Sequence, residues 1–170
     1  VSREFPDWIN PWTAAQGHRR FAGTVPLARM KRLGRSLEST DGEACFEAEF
    51  DLDEDKRPVI ELSAAADVSL MCQASLEPYV APLERSSTLA VIESEGELEL
   101  LAEHYDPVVV DAGRLALAQL VEDELILALP QVPRNPEVDA VSYSTGQTDE
   151  DELPERRNPF AALQGKIGGS

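Results

Sequence analysis

The sequence predicts an α+β domain: mainly antiparallel β-sheet or a partial barrel, with one short basic helix, one long covering helix and a flexible C-terminal tail. Three observations predict it. From Ala44 to Phe50 apolar and polar residues alternate in twos, the period of a strand with one buried face. Arg114 to Leu129 is the only long helical segment, closed by Pro130 and Pro133. Beyond Pro136 the periodicity is lost and a run of acids begins, as in segments that bury too little to fold.

Taken in order, "RFAGT" supplies an edge strand after a turn-rich opening. "PLARMKRLGRSL" then sets Pro26 where a helix accepts its first residue and places Leu27, Met30, Leu33 and Leu37 on one face. Arg29, Arg32 and Arg35 step by three along another face, with Lys31 beside them, and Gly34 weakens the last turn. In the Ala44–Phe50 strand Cys45 falls on the wetter side. "DLDEDKR" is a turn, and Ile60 and Leu62, then Val68, Leu70 and Cys72, continue the period of two as further strands. "YVAPLERSSTLAVIES" is extended, with Pro82 confining its first half to an edge or bulge. "YDPVVVD" adds a short strand. Gly113 opens the long helix, whose Leu117, Leu120, Val121, Leu125 and Ala128 face the sheet, while Glu122 and Asp123 point outward and Glu124 lies nearer the buried side. Residues 1–136 therefore read as one compact domain with a basic N-terminal part, 1–36, and residues 137–170 as an acidic mobile tail ending in "NPFAAL".

Charge is the most informative quantity in the composition. The chain of 170 residues has a net charge of −17, yet residues 1–36 carry a surplus of five positive charges, which leaves −22 for the remainder. Such a molecule offers a basic arm to phosphates and an acidic body to cationic protein segments. The alternative is that the acidic excess only keeps the chain soluble. No apolar run approaches the roughly 20 residues of a membrane span, and the charged, proline-bearing start is unlike a secretory signal, so the expected location is the cytoplasm. A cytosolic setting also keeps Cys45 and Cys72 reduced.

Catalytic and metal motifs are missing. There is no nucleophile elbow, HExxH, Walker loop or GxGxxG, so an enzyme is not expected. A structural zinc site needs four thiolate or imidazole ligands, usually in close pairs. In "LMCQASLEP", Cys72 is followed by Ser75 where a second thiolate belongs, and His18 and His104 stand alone. No metal or cofactor is expected.

Several pieces together resemble a known family. "LMCQASLEP", "YDPVVVDAGRLALAQLVEDELILALPQVPR" and the terminal "NPFAAL", preceded by "INPWTAAQGHRRFAGTVPLARMKRL", are similar in order and spacing to the bacterial YceD family, the large ribosomal RNA subunit accumulation proteins. The resemblance covers nearly the whole chain. It implies a part in the synthesis, processing or stability of 23S ribosomal RNA in the cytoplasm, and it brings no catalytic residues. Many members look like CxRC where this chain has Cys72 and Ser75, with a later histidine and cysteine that "VPRNPEVDA" lacks. Cys72 is the only remaining ligand of that type, so the resemblance implies a fold that stands without metal here.

These readings combine into a non-enzymatic ribosome-biogenesis factor acting on precursor ribosomal RNA, on large-subunit ribosomal proteins, or on both. The RNA-binding candidates are Arg19, Arg20, Arg29, Lys31, Arg32 and Arg35. The partner-binding candidates are Glu122, Asp123 and Glu124, with Asn158, Pro159 and Phe160 of "NPFAAL". The alternative from another class is an acidic protein–protein interaction module unrelated to ribosomes, in which Phe160 enters a partner's pocket. A third possibility is that Phe160 and Leu163 fold back on the chain's own sheet.

Overall fold

The computed structural model describes residues 5–139. Asn10 opens the first helix, α1 (Pro11–Gln16), its side-chain oxygen accepting the Thr13 N–H at 3.0 Å, with Pro11 at the position where a missing N–H costs nothing. Strands β1 (Arg20–Pro26), β2 (Glu43–Leu52), β3 (Pro58–Met71), β4 (Pro78–Ile92) and β5 (Asp106–Val109) form one open sheet in sequence order. The first three pairings are antiparallel; β5 runs parallel to β4, so the sheet is mixed. Helix α2 (Leu117–Ala128) crosses β3 and β4, and a single turn, α3 (Pro136–Asp139), ends the described region. No helix among the described residues is long and apolar enough to cross a membrane. The fold is α+β, as expected.

Alternation decides which face is dry. Ala44, Phe46, Ala48 and Phe50 of β2, Ile60, Leu62, Ala64, Val68 and Leu70 of β3, and Ala81, Leu83, Leu89 and Val91 of β4 are buried on one side. Against them lie Ala14 and Ala15 of α1, Leu27, Met30 and Leu33 from the β1–β2 connection, and Leu117, Leu120, Val121 and Leu125 of α2. Glu43, Cys45, Glu47, Glu61, Ser63, Ala65, Asp67, Glu84 and Ser86 point the other way and are exposed. Among the described residues only the end of β4 is covered on that side, by the 3-10 turn Glu95–Leu100, which a Ser94–Glu97 capping box opens. The two strands expected between 60 and 72 are one, and β4 is continuous through Pro82. That proline lies where β4 has a neighbour on one side only, because β5 joins at Leu89.

Two helical expectations need correction. The basic helix over Pro26–Leu37 is instead two 3-10 turns, Leu27–Arg29 and Leu33–Ser36. Leu27, Met30 and Leu33 do share a buried face, and a spacing of three suits 3-10 geometry. The helix is interrupted because the Arg32 and Leu33 N–H groups, which an α-helix would direct to Ala28 and Arg29 carbonyls, are taken by the Glu122 carboxylate at 2.6 and 3.1 Å. Helix α2 begins at Leu117, three residues later than expected. Leu115 exchanges two backbone hydrogen bonds of 2.8 Å with Ile9, and Gly113, at φ +68°, makes the tight turn that precedes it.

Candidate functional site

The three charged residues of α2 sit at successive positions and are divided between two arginines, Arg32 and Arg85. Glu122 is 7% exposed, not outward-facing as the helical spacing suggests; it accepts from the Arg32 and Leu33 backbone and from Arg32 Nε and Nη2 at 3.3 and 3.1 Å. Asp123 is half-buried and receives Arg32 Nη1 at 2.5 Å. Together they raise the Arg32 guanidinium above its ordinary pKa, Asp123 contributing most and Glu122 next. Glu124, on the buried side as expected, is 3% exposed and bound by Arg85 Nε at 2.6 Å, while Arg85 Nη2 reaches Asp106 at 3.3 Å. One RNA-binding candidate and two partner-binding candidates thus bind each other. Arg85, in the middle of β4, carried no signal that it would fasten that strand to α2.

The remaining cations are spread over two regions. Arg20 stands on β1 between Glu47, at 3.5 Å, and Glu49, both on β2. Arg29 lies 3.8 Å from Asp7 across an exposed surface. Arg19, Lys31 and Arg35 are exposed and form no ion pair among the described residues. Asn158, Pro159 and Phe160 lie outside the described residues.

Cys72 opens the β3–β4 turn and is fully buried. Its Sγ accepts N–H groups from Asn135 at 3.3 Å and Ser75 at 3.5 Å, and its own N–H and C=O are used by Glu77 and Leu76. Gln73 donates to the Pro133 carbonyl, so the segment after α2 is seated on the turn. The Asn135 N–H and then the Ser75 side chain lower the thiol to about 7 against the opposing effect of burial. Among the described residues no group of three or more His, Cys, Asp or Glu side chains is arranged to hold a metal ion. Two amides and the seating of Pro133–Asn135 organise this turn. Leu76 completes it in the left-handed region, at φ +58°.

What sequence reading did not assemble is the open face of the sheet. Register places Thr24, Cys45, Ala65 and Glu84 in one row, Ala22, Glu47, Ser63 and Ser86 in the next, and Arg20, Glu49, Glu61 and Thr88 in a third. A 3.0 Å contact between the Ser63 and Ser86 hydroxyls links the middle row. Across β2, β3 and β4 this face carries the carboxylates of Glu43, Glu47, Glu49, Asp51, Glu61, Asp67 and Glu84, with Arg20 of β1 opposing them. The signal was present in the polar half of each alternating strand.

A family model described as "Large ribosomal RNA subunit accumulation protein YceD" matches residues 60–165, from β3 through the end of α2 and beyond. A protein of Haemophilus influenzae with the same name is 33% identical over 165 residues, covering 94% of each chain. No solved structure matches. The matched span includes the Cys72 turn and the acid-bearing helix that Arg32 and Arg85 clasp, and on the strength of both matches the chain belongs to the YceD family of large ribosomal RNA subunit accumulation proteins.

Proposed function

We propose that this protein is a non-enzymatic factor supporting the accumulation of 23S ribosomal RNA, through its synthesis, processing or stability, and that it works in the cytoplasm by holding basic large-subunit ribosomal proteins before they meet RNA. The observation that carries this reading is the near-full-length likeness to a protein named for accumulation of the large ribosomal RNA subunit. The charge distribution supports the mode of action. Arg20, Arg29 and Arg32, three of the six cations that an RNA-binding arm would use, are engaged by carboxylates of the same chain. A large acidic excess on the remaining surface favours cationic protein and opposes a polyanion. Arg19, Lys31 and Arg35, with the loosely held Arg29, are left as a secondary, salt-sensitive contact to precursor RNA.

Sucrose-gradient profiles and 23S RNA levels in a strain lacking the protein test the reading. A deficit of large subunits is expected, and normal amounts overturn it. Affinity capture from lysate, with and without nuclease, separates the modes: ribosomal proteins that stay bound after nuclease treatment support direct protein contact. Loss of all large-subunit material on nuclease treatment assigns the contact to RNA.

A further inference from the structure

Among the described residues, no element covers the open face of the sheet over most of its area. Helices α1 and α2 and both 3-10 turns of the β1–β2 connection pack on the opposite side. Among the described residues, Arg20 and His18 pair with Glu47, Glu49 and Asp51, whereas Glu43, Glu61, Asp67 and Glu84 form no ion pair. Between the charges the side chains are small. Ala22, Cys45, Ser63 and Ala65 floor a shallow trough of about 350 Å³, with Glu47 and Glu84 on its walls.

We propose that this trough is the docking surface for an extended, lysine- and arginine-rich segment of a partner protein. Small floor residues let a peptide backbone approach the sheet. Glu47 and Glu84 stand on strands two apart, on the order of 10 Å across the sheet, a span that long basic side chains on one extended peptide cover from the trough. Glu61 and Asp67 extend the same potential toward both ends of β3. The sign of the field selects a cationic partner and opposes RNA or the chain's own acidic stretch, Asp149–Glu152. This inference rests on the function proposed above, to which it adds the site and the partner's chemistry.

Cys45 is a built-in reporter, exposed in the trough while Cys72 is buried. The experiment follows alkylation of Cys45 by iodoacetamide in the full chain, by peptide mapping, with three probes: an alternating Lys-Ala dodecapeptide, an alternating Glu-Ala dodecapeptide and a single-stranded RNA dodecamer. The Lys-Ala peptide should slow labelling, more strongly at low salt, and the triple variant Glu47→Gln/Glu61→Gln/Glu84→Gln should weaken that protection about tenfold with its unfolding midpoint unchanged. Equal protection by RNA or by the acidic peptide overturns the proposal, as does protection that survives in the triple variant. Slow labelling of the free chain that Phe160→Ala relieves assigns the trough to the chain's own tail and overturns it as well. The labelling result is obtained without ribosomes, so its failure is distinguishable from a normal particle profile in the deletion strain, which overturns the function itself.

Discussion

Replacing Glu122 by alanine should be among the most damaging single changes on this molecule, even though the residue looks like a surface acid in the sequence. The residue is 7% exposed, and its carboxylate accepts four N–H groups, two from the backbone and two from the Arg32 guanidinium. Truncation leaves the Leu33 amide buried without a partner and the Arg32 amide partly so, at about 1–3 kcal/mol each. The lost ion pair adds less, because Arg32 remains half-exposed and keeps Asp123. The sum is about 3–5 kcal/mol, within the range for breaking a buried pair, against a total stability of roughly 5–15 kcal/mol. Glu122→Gln retains an oxygen for both amides and should cost about 1–2 kcal/mol, while Asp123→Ala, at a half-exposed position, should cost less than about 1 kcal/mol. Equilibrium urea unfolding of the three variants, with the slope m checked for constancy, gives the comparison. An Ala variant at 122 no less stable than that at 123 would refute the role of Glu122 as the cap that divides the basic segment into two turns.

Three further outcomes can be measured on the same footing. Glu124→Ala should destabilise by about 2–4 kcal/mol by leaving Arg85 with Asp106 alone, whereas the paired change Arg85→Met/Glu124→Leu should recover most of that loss; a double-mutant cycle on unfolding free energies checks it. Leu76→Gly should gain up to about 1 kcal/mol, since Leu76 is exposed and its φ of +58° strains a branched residue, and the unfolding midpoint reports the sign. Cys72, lowered from 9.0 to about 7 in the folded chain, should bind fewer protons there than when unfolded between those values, so stability should rise as pH increases from 7 to 9 and the contribution should be lost below 7. Cys72→Ser should flatten that rise, and thiolate absorbance against pH locates the titration directly.

The strands were legible because each buries one face and writes the fact at every second residue, as Ala44, Phe46, Ala48 and Phe50 do. Core positions on α2 were equally clear from helical spacing. What failed was decided by contacts distant in sequence. Nothing near Arg32 announces that a carboxylate 90 residues away will take two of its segment's amides, so propensity and spacing favoured one helix where there are two turns. Likewise, Ile9 pairs with Leu115 and removes a turn from the start of α2. Helix α1 is a different case: Asn10 and Pro11 form a cap and first turn that the sequence does signal, read there as turn-formers alone. For the site, residue types were legible and their pairing was not. Arg32 with Glu122 and Asp123, and Arg85 with Glu124, turn apparent surface charge into internal fastening.

That fastening determines how charge variants in cells should be interpreted. Acids on α2 and acids on the open sheet are alike in composition but not in consequence, because Glu122 and Glu124 are buried and paired whereas Glu47, Glu61 and Glu84 are solvated. Variants of the first kind should act through abundance: a loss of 2 kcal/mol or so enlarges the unfolded fraction that proteases remove, so a ribosomal phenotype should track protein level and vanish on overexpression. Variants of the second kind should leave protein level and unfolding midpoint unchanged and weaken partner capture in proportion to the carboxylates removed, with a steeper dependence on salt in the parent than in the variant. Immunoblots beside gradient profiles for Glu122→Ala and for the sheet triple variant separate the two. A large-subunit defect in Glu122→Ala cells at undiminished protein level would mean that the Arg32–Glu122–Asp123 cluster itself meets a partner, and the division between fastening and binding acids would have to be withdrawn.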